Sequence, residues 1–186
     1  LAGKDWGVVF LLSLLRAVTS FSLIIAYQNI ASGVASTIHF MYPLAVALAM
    51  MFFFREKKSL LVILAVLMSL LGAALLSLGE LEAKSGDTIV GLVAACISVF
   101  SYGGYIIGVR TTRAAQINST VLTCYVMGMG AVLYLIGAMA TSGLHLVTDG
   151  YIWLIILGLA LPATAISNIT LVQAIKYAGP TLTSIL

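Results

Sequence analysis

Charge is what this sequence has least of. Among 186 residues only nine are Lys or Arg and six Asp or Glu, 8% in all, against 62% hydrophobic residues and a mean hydropathy of +1.16. A soluble domain carries roughly a quarter charged residues. So few charges cannot cover a water-exposed surface of this size without leaving apolar area that aggregates. The composition excludes a water-soluble globule and makes the lipid bilayer the first partner of the chain.

Other absences narrow the chemistry. The two cysteines, Cys96 and Cys124, each lie inside an apolar run with no second Cys or His at a ligand spacing, so they read as packing residues and no metal is expected. No glycine-rich phosphate loop occurs, which excludes ATP hydrolysis within these residues. No basic stretch is interleaved with aromatics, so no nucleic-acid partner is expected; the run 55–58 is a topology signal. The intramembrane His39 has no nucleophile motif beside it, which argues against an intramembrane hydrolase. The reading is of a protein that is not an enzyme and has no catalytic residues and no cofactor.

What is present is length without charge. Charge-free runs cover 17–54, 59–79, 88–109, 114–148 and 150–175. A crossing needs about 20 apolar residues, and the runs lack the alternation of barrel strands. The first run, extended back to Trp6, holds a turn signal at 28–33 and divides into two helices, while the run 114–148 is polar at both ends and holds one. Six spans are predicted, at 7–28, 34–54, 59–79, 88–110, 119–141 and 150–176. The fold class is all-α and integral to the membrane, a polytopic helical bundle.

Seven basic residues, Lys4, Arg55, Lys57, Lys58, Arg110, Arg113 and Lys176, fall on one side of this layout, and only Lys84 falls on the other. That bias predicts a cytoplasmic N-terminus. A further helix opens at 179–186. The chain starts at Leu1 without a signal-peptide layout and stops inside that last helix, so a fragment of a longer protein is expected.

Residues 26–38 and 174–186 share Ala and Ser at matching places and a small or apolar pattern elsewhere, at an offset that spans five helices. An odd number of spans inverts the second copy of a repeat, as in many carriers. The stretch 26–43, from Ala26 through Ala35-Ser36 to Pro43, followed by an apolar helix and Arg55-Glu56-Lys57, resembles the third and fourth spans of EamA-type members of the drug/metabolite transporter superfamily. The resemblance implies ten spans in two inverted five-span repeats. Residues 1–79 would belong to the first repeat, as its spans three to five. Residues 88–186 would belong to the second, as spans six to eight and the start of nine.

Polar groups inside an apolar slab usually face a cavity or a partner helix. Arg16 lies deep in the first span, with two readings: snorkelling toward the cytoplasmic side or a carbonyl-capping structural role, or contact with a substrate or counter-ion. His39, Tyr42 and Pro43 form a second group. Pro43 removes a hydrogen bond to the His39 carbonyl, so a kink with a free carbonyl beside an imidazole reads either as a substrate site or as a packing device. Tyr102 and Tyr105 lie on one face with Ser98 and Ser101, beside Gly104 and Gly108 at a spacing for close helix approach. Gln28, Asn168 and Gln173 are neutral amides for reading substrate groups or bridging helices, and Pro162 is a second kink. None of the six acidic residues lies inside a predicted span, so the carboxylate relay of many proton-coupled carriers is missing here.

These readings converge on a carrier of the bacterial inner or plasma membrane. It would export a small organic metabolite such as an amino acid, nucleoside or amphipathic drug by alternating access, as a monomer or a homodimer. The alternative is a non-transporting membrane assembly subunit or a membrane-embedded lipid-modifying enzyme.

Overall fold

The computed structural model describes residues 3–55, 63–64, 67–68, 71–72, 75, 86–140 and 148–185, and these are helical apart from short connections. In chain order the helices are α1 (Gly3–Asn29), α2 (Ser32–His39), α3 (Tyr42–Phe53), α4 (Thr88–Thr111), a 3₁₀ turn (Arg113–Gln116) and α5 (Ser119–Ala140). Then follow α6 (Gly150–Gly158), a π-helical segment (Leu159–Ile166), α7 (Ser167–Ala178) and α8 (Pro180–Ile185). Five segments are long and apolar enough to cross a bilayer: Asp5–Asn29, Ser32–Phe53, Thr88–Thr111, Ser119–Met139 and Gly150–Ala178. The expected span 59–79 lies almost wholly outside the described residues.

Two of the acidic residues that the sequence assigns to loops, Asp87 and Asp149, serve as helix caps. Asp87 accepts hydrogen bonds from the amides of Ile89 and Val90 at 2.9 and 3.3 Å, and Asp149 accepts from Tyr151 at 2.8 Å. Asn118 does the same for α5 through Thr120 at 3.0 Å. Each such cap satisfies amides that have no partner within the helix, an effect of about 1 kcal/mol. Gly179, at φ 90°, closes α7 in the left-handed conformation that glycine tolerates, and Pro180 starts α8.

Two expected helices are not continuous. The span predicted at 34–54 is broken at Phe40 and Met41 into α2 and α3. Pro43, the second residue of α3, has no amide to give the His39 carbonyl, and the chain turns there with Met41 N donating to Ile38 O at 3.0 Å. His39 and Pro43 therefore do not share one helix face. The span predicted at 150–176 is α-helical at both ends, with the π segment containing Pro162 between them.

Helix α4 is the hub, packing against α1, α2, α3, α7 and α8. Its buried side is built from small residues, Gly91, Ala94, Ala95, Ser98, Ser101 and Gly103, as helix contacts in lipid require. Helices α1 and α4 run antiparallel: the Asp87 amide donates to Asn29 Oδ1 at 3.0 Å at one end, and Leu12 meets Gly108 toward the other. Helices α1 and α5 run parallel, with Trp6 edge-on to Tyr125 at 5.2 Å and Phe21 against Tyr134 at 4.7 Å. At the basic end, an Arg110 guanidinium nitrogen donates to the Lys176 carbonyl and the Lys176 ammonium donates to the Ile117 carbonyl. Two of the basic residues read as topology markers thus also tie helix ends together.

The closest approach of α1 and α4 sets a first prediction. A Cβ added at Gly91 would lie 2.6 Å from Ile30 Cγ2 and 3.1 Å from Asn29 Cβ, whereas one at Gly104 would meet nothing nearer than Leu15 at 3.7 Å. Gly91→Ala should cost about 1–3 kcal/mol of stability by overpacking, and Gly104→Ala should be neutral. Thermal unfolding of the two variants in detergent checks this, and equal midpoints would contradict the close approach.

Candidate functional site

Buried apolar side chains form two clusters separated along the helix axes. One contains Val9, Leu12, Val46, Met50, Ile106, Val109, Leu122, Val126, Val172 and Ile175, and the other Ala26, Ile30, Ala35, Ala94 and Ala95. Between them the same helices place polar side chains: Arg16 and Thr19 on α1, His39 on α2, Tyr42 on α3, Ser98, Ser101 and Tyr102 on α4, and Asn168 on α7. Counted from Asp5 at 1.5 Å per residue, Arg16 is about 16 Å deep, near the middle of a slab roughly 30 Å thick. Tyr105, assigned to the first cluster, borders this polar layer.

Arg16 does not turn back toward the basic end, as a snorkelling side chain would. Its Nη2 donates to Asn168 Oδ1 at 3.0 Å, and its guanidinium carbon lies 5.1 Å from the Tyr102 ring centre and 5.8 Å from that of Tyr105. Both rings are within the range at which an aromatic face attracts a cation. Snorkelling fails because Asn168 and two ring faces meet the charge at its own depth. Asn168 is held in turn, its amide donating to the Thr164 carbonyl at 2.6 Å inside the π segment. The same carbonyl also accepts from the Ser167 amide, so Asn168 is tied into the junction between the π segment and α7.

The rings form a connected group. Tyr42 stands edge-on to Tyr102 at 4.7 Å, Tyr102 stacks beside Tyr105 at 6.2 Å, and His39 lies 5.5 Å from Tyr42 and 5.4 Å from Tyr102. Ser98 Oγ lies 2.9 Å from His39 Nδ1 and 2.6 Å from the Ala95 carbonyl, so it ties the imidazole to α4. A second polar bridge, Thr19 Oγ1 to Ser101 Oγ at 2.9 Å, joins α1 to α4 in the same layer.

Six of the residues singled out in the sequence, Arg16, His39, Tyr42, Tyr102, Tyr105 and Asn168, are thus brought together. Tyr105, Ser98 and Asn168 are buried, while Arg16, His39, Tyr42 and Tyr102 are half-buried. Gln28 and Gln173 stand outside the group, and both are exposed. Pro43 and Pro162 contribute by interrupting helices next to it. Thr19 is a member that the sequence reading passed over; its place three residues beyond Arg16 was the available signal, since such pairs share a helix face. Ser98 holds the His39 ring, a role that no spacing announces.

The hydroxyl of Tyr105 is buried without a hydrogen-bond partner among the described residues. An unsatisfied buried hydroxyl costs about 1–3 kcal/mol. Tyr105→Phe should therefore raise the thermal midpoint of the ligand-free protein while weakening ligand binding. A lowered midpoint would mean that the hydroxyl has a structural partner.

On the other side of α4 an apolar groove of about 240 Å³ is lined by Ile38, Met41, Leu44, Cys96, Val99 and Phe100, among others. It contains none of the polar residues above. Among the described residues no group of His, Cys, Asp and Glu is placed to hold a metal ion. Comparison of the chain with family models, with curated proteins and with solved structures finds no match.

Proposed function

We propose that this protein is a membrane carrier that moves a small organic metabolite, in the export direction, by alternating access. The observation that carries the proposal is the polar layer around Arg16, held at mid-depth between two apolar clusters and bordered by two interrupted helices. An arginine at this depth costs several kcal/mol, which favours a role that needs its charge. Secondary transporters place their substrate sites near the midplane, where helices are discontinuous. Here the α2–α3 break sits beside His39 and Tyr42, and the π segment leads directly into Asn168.

The finer architecture is part of the same proposal. In an EamA-like layout the helices correspond to spans three to eight of ten, with 59–79 as the fifth and α8 opening the ninth. Helix α8 packs against α3, the second half of the fourth span, which supports fourth and ninth spans that run in opposite directions as copies of an inverted repeat do. The basic residues Arg110 and Lys176 at one end support the placing of that end in the cytoplasm.

Reconstituted vesicles loaded with amino acids, nucleosides, carboxylates and amphipathic drugs test the reading. Protein-dependent loss of at least one class is expected, abolished by substitution of Arg16. If no class moves in either direction, the assembly-subunit and lipid-enzyme readings replace it.

A further inference from the structure

We infer that the Arg16 site takes a small organic anion, a carboxylate that carries no ammonium group. The inference rests on the transport proposal and names its substrate class.

The argument is one of unbalanced charge. Arg16 has five N–H donors, and Asn168 engages one of its nitrogens. Asn168 is neutral, so it aims the guanidinium without cancelling its charge, and the rings of Tyr102 and Tyr105 are neutral as well. All six acidic residues, at positions 5, 56, 80, 82, 87 and 149, lie outside the apolar runs, and among the described residues no carboxylate pairs with Arg16. A cation at this depth has a large unmet demand for an anion. A carboxylate meets that demand with two parallel charge-assisted hydrogen bonds, for which the guanidinium fork is shaped.

The same inventory excludes other charge types. An amine would bring a second cation into a layer that already holds one and has no acid among the described residues to receive it. A zwitterion would satisfy Arg16 with its carboxylate but leave its ammonium unpaired in a medium of low dielectric. With Nδ1 held by Ser98, His39 has Nε2 left for a ligand hydroxyl, and the half-buried rings of Tyr42 and Tyr102 offer faces for a planar apolar body. Charge decides acceptance, and the rings decide shape.

The test uses purified protein in nanodiscs of uncharged phospholipid, titrated with four ligands that share one ring: phenylacetate, phenylacetamide, phenylalanine and phenethylamine. Binding is read from the shift in thermal unfolding midpoint. Phenylacetate should bind at least tenfold more tightly than each of the others, about 1.4 kcal/mol. Asn168→Asp places a carboxylate where an amide oxygen now lies 3.0 Å from the guanidinium, and so supplies the missing counter-charge from within. It should lower phenylacetate affinity at least tenfold, with the cost of losing the amide donor to the Thr164 carbonyl read separately from the ligand-free midpoint, and Arg16→Gln should lower the affinity by a similar factor. The inference is overturned if phenylacetate does not bind, if phenylalanine or phenethylamine binds as tightly, or if Asn168→Asp leaves phenylacetate binding unchanged. The ligand series on the unsubstituted protein keeps the question decidable should a variant misfold. Vesicle flux separates the two readings. Binding in the expected charge order without flux would refute the carrier and leave the anion site standing. Flux of amines that survives Arg16→Gln would do the reverse.

Discussion

Arg16→Leu is expected to reduce transport about a hundredfold while leaving the protein about as stable as before. The functional loss follows from removing two charge-assisted hydrogen bonds to substrate, each worth about 1.5–3 kcal/mol, together with the cation that the ring faces support. The stability term has two opposing parts. The substitution deletes the hydrogen bond to Asn168 and the contacts with Tyr102 and Tyr105. It also removes a charge whose insertion at a helix centre costs about 2.5–3.5 kcal/mol, and replaces it with a side chain that favours lipid. The two nearly cancel. Asn168 keeps its bond to the Thr164 carbonyl and is not left wholly unsatisfied. Vesicle flux and thermal unfolding on the same preparation check the prediction. A variant that loses flux and stability together would show Arg16 to be a structural fastener; one that keeps both would remove it from the site.

The second large effect is expected at Pro43. Restoring an amide there with Pro43→Ala lets position 43 donate to the His39 carbonyl, so that 32–53 can form one regular helix of the kind that periodicity alone would predict. A regular helix gains a backbone hydrogen bond but removes the turn at Phe40 and Met41, which now separates His39, 2.9 Å from Ser98, from Tyr42, 4.7 Å from Tyr102, so the register of both contacts must change. Transport should fall at least tenfold while the thermal midpoint rises, since a proline in a helix costs up to about 3 kcal/mol and the break recovers only part of that. Unchanged flux in Pro43→Ala would mean that the break is incidental to function.

Much of the site could be read one residue at a time. Arg16, His39 and Asn168 stand out because a polar group in a run otherwise fit for lipid is expensive, whatever it touches. Tyr102 and Tyr105 stand out through helical spacing. Pairing was not readable in this way. Asn168 lies 152 positions from Arg16, and nothing local distinguishes it from Gln173, which is exposed and apart. Ser98 looks like any small packing residue until His39 is placed beside it.

The helix ends tell the same story. Asp87, Asn118 and Asp149 announce the starts of α4, α5 and α6, because capping is a contact between residues two or three apart. Pro43 announces an interruption but not its form: a bend, a break and a π turn all answer a missing amide, and the choice depends on which neighbour receives the freed groups. Pro162 lies in a π turn, where Thr164 Oγ1 donates to the Leu159 carbonyl and the Asn168 amide to that of Thr164, and Pro43 follows a full break.

By itself, then, the sequence determined that these residues form lipid-compatible helices, where most of those helices begin and end, and which of their residues are too polar to face hydrocarbon. Those properties follow from local hydrogen bonding and from the cost of moving each side chain out of water, and both are set within a few residues. Only the tertiary structure decided that six of those polar residues share one layer, that two amides do not, and that Arg16 meets neutral partners at mid-depth. Contacts between distant segments depend on how whole helices pack, and small residues such as Gly91 and Ala95 control that packing without carrying any chemistry of their own.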